Sequence, residues 1–130
     1  MTIPYSSGQS SVVRPNPQVM AVTIPRKTIP YLSSVLLSTL TLTSGTWFLE
    51  GTVTASPSTG DFTLQSFFHD GSTLLAINYN DLISGRYSTS SLTTILDVET
   101  TQTVNFYASI DTNLVVTCKG GETQLRAFRI

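Results

Sequence analysis

From about residue 31 onward the apolar residues of this chain fall at every second position, and that period of two limits its fold more than any other feature. Trp47, Leu49, Gly51, Val53 and Ala55 are each apolar or small, with Phe48, Glu50, Thr52 and Thr54 between them. Successive side chains of a strand point to opposite faces, so the pattern predicts a strand with one face buried. Phe62, Leu64, Ser66 and Phe68 then face one way, with Thr63, Gln65, Phe67 and His69 on the other side. Asp70-Gly71 is a hairpin-turn pair leading into a strand from Leu74 to Tyr79. Val104, Phe106, Ala108 and Ile110 alternate cleanly, Asp111-Thr112-Asn113 turns the chain into Leu114, Val116 and Cys118, and Lys119-Gly120-Gly121-Glu122 turns it again into a last strand, Thr123 to Ile130. A further polar turn is expected near Glu99-Thr100-Thr101. Tyr31 to Leu40 fits helical spacing as well, through Leu32, Val35, Leu36 and Leu40, but Ser and Thr fill the gaps and strand is preferred.

Seven or eight short strands separated by turn clusters predict an all-β fold, an antiparallel β-sandwich or jelly roll, over residues 31–130. Composition supports this. Only 12% of residues are charged, against roughly 25% in an ordinary globular chain. Ser and Thr, 38 residues together, supply the polar surface instead. Thr is β-branched and suits a pleated strand with one wet face. A chain of 130 residues makes one domain with an adequate core.

Residues 1–30 read differently. Five of the six prolines lie there: Pro4, Pro15, Pro17, Pro25 and Pro30. Proline removes a donor and holds the preceding residue extended, so the segment is expected to be an extended, Pro-rich N-terminal arm. It carries Ile3, Tyr5, Val12, Val13, Ile24 and Ile29, too many apolar residues for an inert linker, and Thr2-Ile3-Pro4-Tyr5 recurs as Thr28-Ile29-Pro30-Tyr31. Ile3, Pro4, Tyr5, Val12, Val13, Ile24, Pro25, Ile29, Pro30 and Tyr31 are therefore the candidate partner-docking residues. A pre-extended segment loses less entropy on docking.

The sequence carries little that suggests chemistry. The net charge of −1 argues against nucleic-acid binding, and Arg26-Lys27 is the only adjacent basic pair. Cys118, the one cysteine, has the strand spacing of a buried apolar residue. His69, the one histidine, sits at a hairpin end with no Gly-x-Ser-x-Gly serine to serve. One His and one Cys make no zinc site. Asn78, Asn80 and Asp81 offer oxygen ligands without the spacing of an EF-hand loop. Asp61, Asp70, Asp81, Asp97, Glu99 and Asp111 sit at expected strand ends and turns, where Asp is favoured for local hydrogen bonding. Neither a secretory leader nor an apolar run of membrane-spanning length is expected. The reading is a non-enzyme with no catalytic residues, no metal, no cofactor, no small-molecule substrate, no nucleic acid and no membrane. Trp47 is expected as a core anchor; Tyr79, Tyr87 and Tyr107 are expected as contact residues.

The run Ser44-Gly45-Thr46-Trp47-Phe48-Leu49-Glu50-Gly51-Thr52-Val53-Thr54-Ala55 resembles an early strand of tumour-necrosis-factor-like and complement-globular-head-like jelly rolls. Val104-Asn105-Phe106-Tyr107-Ala108 and the final Thr123 to Ile130 resemble the last two strands of phage-encoded relatives. The chain departs from that pattern where Glu99-Thr100-Thr101-Gln102 fills a place usually holding Gly. The resemblance implies a homotrimer with Trp47, Phe48, Phe106, Tyr107, Phe128 and Ile130 as core or trimer candidates. It further implies a virion structural protein made in the host cytoplasm: a capsid decoration (cement) protein on the capsid surface, bound to a major capsid or other virion protein. The alternative is a receptor-binding knob of a phage tail or fibre.

Overall fold

The computed structural model describes residues 19–130. These form eight strands: β1 (Val19–Ile24), β2 (Lys27–Ile29), β3 (Val35–Ala55), β4 (Phe62–His69), β5 (Leu74–Leu82), β6 (Ser88–Ile110), β7 (Val116–Cys118) and β8 (Thr123–Arg129). Every strand pair is antiparallel, in the order β1-β8-β3-β6-β4-β5, with β2 on β7. The expectation of an all-β antiparallel sandwich of the jelly-roll kind holds.

Two long strands make the sandwich. β3 and β6 pair along nearly their whole lengths, interrupted by bulges between Leu36 and Ser38 and between Thr43 and Gly45. The second bulge is the fold line. On one side of it β3 pairs with β8 through Trp47 to Thr52; on the other, β6 pairs with β4 through Phe106 and its neighbours. A Cβ added to Gly51 would lie 2.6 Å from the Phe106 ring. Gly51 is in register with Leu92 and Leu125, whereas Phe106 is in register with Ser38 and Phe68. The two ends of the long ladder therefore fold onto each other, giving one layer of β1, β8 and the adjoining parts of β3 and β6, and a second of β4, β5 and the remainder. Trp47, Leu49, Val53, Leu64, Phe68, Val104, Phe106 and Leu125 fill the space between and are inaccessible to water.

The corner is locked by side chains. Gly45 holds φ at +137°, a conformation other residues seldom adopt. Trp47 Nε1 donates to the Thr43 carbonyl at 2.9 Å. Arg129 donates to the Thr43 hydroxyl at 3.2 Å and to the Ser44 carbonyl, with its guanidinium 5.5 Å from the Trp47 ring centroid.

Two expectations are corrected and one ambiguity is resolved. Glu99-Thr100-Thr101 is not a turn but the part of β6 opposite the β3 bulge, exposed because the sheet bends there. Tyr31 to Leu40 enters β3 rather than a helix, as preferred. Its helix-like spacing comes from the first bulge, which shifts the alternation so that the buried Leu37 and Leu40 stand three residues apart. The later part of the stretch read as the arm is built into the sheet: β1 pairs with β8, and β2 pairs with β7. Proline is tolerated there because Pro25 lies between the two strands and Pro30 follows the second.

Ser66 Oγ is buried on the inner face of β4 without a hydrogen-bond partner. Such a group costs about 1–3 kcal/mol. Ser66→Ala is thus expected to be neutral or stabilising by up to ~1 kcal/mol in urea unfolding; a clear loss would mean that the hydroxyl has a partner.

Candidate functional site

Tracing each outer face across the strands reveals two apolar rows. On the β1–β8–β3–β6 layer, Val19 pairs with Phe128, Phe128 with Phe48, and Phe48 with Ile95. Val19 and Ile95 are 53% and 64% exposed, and the Phe48 and Phe128 rings, 6.1 Å apart, are half-buried. Beside this row, Arg126 pairs with Glu50 and lies over Phe128. On the other layer Leu36 pairs with Tyr107, Tyr107 with Phe67, and Phe67 with Ile77. The Tyr107 and Phe67 rings stack at 5.1 Å, and Tyr79 stands one pair further along β5, 64% exposed.

The strand ends differ in character. At one end the loops are tied together: Ile110 N donates to the Pro30 carbonyl, Gly85 N to Ser58, and Ser84 N to Asp61. Their tips are apolar, with Leu32, Ile83, Tyr87 and Val115 exposed and Leu32 held at φ 66°. A shallow recess of about 410 Å³ opens there, lined by Tyr31, Leu32, Gln65, Ser109 and Asp111 among others. The opposite end carries the polar corner, with Ser44, Asp70, Asp97 and Glu99.

The candidate residues scatter over these places. Trp47 and Phe106 are core; Phe48 and Phe128 lie on one outer row and Tyr107 on the other; Ile130 is 73% exposed beside the corner, its N–H donating to Thr46. No single face gathers all six. Of the proposed docking residues, Ile3, Pro4, Tyr5, Val12 and Val13 lie outside the described residues. Ile24 and Ile29 are core residues of this chain, 0% and 1% exposed, and are unavailable to a neighbour. Pro25 is exposed, Pro30 half-buried and Tyr31 40% exposed. Neither outer row was visible as such in the sequence, because each draws single residues from four strands.

The polar groups hold turns. His69 Nδ1 accepts from Gly71 N at 2.9 Å, while Asp70 Oδ1 accepts from Ser72 N and Thr73 N at 2.9 and 2.7 Å. Asp111 Oδ1 accepts from Thr63 N at 2.8 Å. These backbone donors hold the Asp70 and Asp111 carboxyls below the usual carboxylate range. A depressed folded-state value means stability present above the unfolded value near 3.8 and lost as pH falls through the lower folded one. Thermal stability is therefore expected to drop on acidification below about pH 4, and Asp70→Asn with Asp111→Asn to flatten that drop; an unchanged acid slope in the double variant would refute the assignment. Cys118 is buried, its thiol 3.5 Å from the Pro25 carbonyl. Among the described residues no three His, Cys, Asp or Glu side chains are gathered as for a metal ion.

No protein-family profile matches the chain, and no curated protein matches it. Solved structures do. A structure of infectious bursal disease virus, Gt strain, matches with a TM-score of 0.64 at 11% identity over 88% of this chain. The VP2 subviral particle of the same virus matches with a TM-score of 0.56 at 10% identity over 85%. A crystal structure of the viral particle matches with a TM-score of 0.54 at 9% identity over 100%. This chain spans only 34%, 36% and 40% of those chains. At such identities the likeness is one of architecture: the chain shares its jelly-roll-like β-sandwich with proteins of an icosahedral virus particle.

Proposed function

We propose that this chain is a virion structural protein, a homotrimeric capsid decoration (cement) protein on the capsid surface that binds its neighbours through its arm and its base. The observation that carries the reading is the pair of apolar rows crossing both outer faces of the sandwich. A soluble sandwich ordinarily turns polar residues outward on its strands, and contiguous exposed apolar area marks association. Four half-exposed apolar side chains in line on each face suit lateral packing against copies of the same subunit, and a closed ring would cover them. The apolar loop tips Leu32, Ile83, Tyr87 and Val115 form the base that seats on a major capsid or other virion protein. The fold, shared with virus particle proteins, supports the same reading. The second reading, a receptor-binding knob, draws support from Tyr79 and Tyr87, 64% and 55% exposed amid a Ser/Thr-rich surface.

Light scattering on the isolated chain tests the proposal. A mass near three times 14.1 kDa is expected, together with a return toward the monomer when Phe67 and Ile77 are both changed to Ser. A wild-type chain that stays monomeric at millimolar concentration would overturn it. Binding to glycans but not to emptied capsids would favour the knob.

A further inference from the structure

The row Val19–Phe128–Phe48–Ile95 ends at the residue where the N-terminal segment joins the sheet, and this continuity suggests what covers it. We infer that it is the docking place for the N-terminal segment of a second copy, with Val12 laid on Phe48 and Ile95 and Arg14, on the same side of an extended chain, set against Asp97. This rests on the reading of the chain as a self-assembling virion subunit and names the contact its arm makes.

Three observations converge. The first is reach. Eighteen residues precede Val19, enough to span up to about 60 Å when extended. The row crosses four strands, about 14 Å at ordinary strand spacing, a width that four or five extended residues cover. The second is direction. Traced backwards, β1 runs past Phe128 toward the Ile130 end of β8, so the chain leaves its own layer at the polar corner. Pro15 and Pro17 disfavour helical backbone at Arg14 and Asn16, and in this proposal the segment continues outward to a neighbour.

The third is charge. Arg14 is the only charged side chain in residues 1–18. Asp97 lies two residues beyond Ile95 on the same face of β6, exposed, its carboxylate accepting from the Thr46 hydroxyl at 2.8 Å. Glu99 follows, also exposed. Among the described residues neither carboxylate has a cationic partner, whereas Glu50 on the other side of the row is already paired with Arg126. Val12 and Arg14 thus stand two residues apart in the arm, as Ile95 and Asp97 do along β6.

The test uses the full chain. Copies carrying Val12→Cys and copies carrying Ile95→Cys, differently tagged, are mixed and mildly oxidised; the native Cys118 is buried and stays out of the reaction. A disulfide between the two tags is expected. Ile95→Asp, tested for unchanged thermal unfolding, is expected to weaken self-association about tenfold, since it buries a charge beneath the arm. Arg14→Glu is expected to weaken it up to about fivefold, with Asp97→Arg restoring it in the double variant. Cross-linking only within a single chain carrying both cysteines would overturn docking in a neighbour, and so would no cross-link at all. If the wild-type chain is trimeric yet neither cross-link nor charge reversal has any effect, the arm contact fails and the assembly reading stands; if the wild type never associates, both fail.

Discussion

Gly51→Val is expected to destabilise the fold by about 3 kcal/mol. A valine elsewhere on a half-buried strand face would be favourable, because β-branched residues suit strands and glycine weakens them. At position 51 even the first carbon is excluded: it would stand 2.6 Å from two carbons of the Phe106 ring. That ring cannot retreat. It is fully buried, tilted against Phe68 at a centroid distance of 5.3 Å, and held in β6 between β3 and β4. The two layers would have to part to admit the new side chain, disturbing contacts along the core. Phe106→Leu removes the ring atoms that collide and alone costs about 1–2 kcal/mol for the volume lost. The double variant is therefore expected to be more stable than Gly51→Val alone, a non-additivity that urea denaturation of all four proteins would measure. Additive losses would mean that positions 51 and 106 do not touch, and the folding of the long β3–β6 ladder onto itself would be wrong.

That ladder also explains what the sequence disclosed and what it hid. Strands β4, β8 and the second part of β6 were legible because their alternation runs unbroken, and β5 because Asp70-Gly71 marks its approach. In β3 the bulge after Leu36 shifts the alternation, so the inward-facing Leu37 and Leu40 stand three residues apart and imitate a helical face. Glu99-Thr100-Thr101-Gln102 looked like a turn because it is uniformly polar. It lacks the Gly, Asn, Asp or Pro that turns require, and its threonines favour strand. Its polarity reflects the bend, where neither side of the strand faces the core. Met20, Val22 and Ile24 point inward from β1 at period two, but prolines on both sides masked that signal. The outer rows were hidden for a different reason. Pairing register across four strands is set by bulges and hairpins together, and no local stretch records it.

The arm itself supplies the other large effect. Removing residues 1–18 is expected to leave a folded sandwich, because every contact among the described residues remains. Removing residues 1–29 is expected to unfold it. The longer deletion takes away Ile24 and Ile29, each fully buried and worth about 1.5–3 kcal/mol in burial. It also removes Met20 and Val22 from the core margin and strips the six paired residues of β1 from β8. β8 would become an open edge bearing Leu125 and Ala127, β7 would lose its partner β2, and β3 would lose the Lys27 Nζ bonds to the Leu36 and Leu37 carbonyls. Against a total stability of about 5–15 kcal/mol, these losses exceed what a domain of this size can spare. Circular dichroism during heating would show a cooperative transition in the shorter deletion and none in the longer. A longer deletion that still melted cooperatively at the wild-type temperature would make β1 and β2 peripheral after all. The shorter deletion then separates assembly from folding: a chain that folds normally but no longer associates places the role of residues 1–18 in contacts with neighbours, outside the fold that carries them.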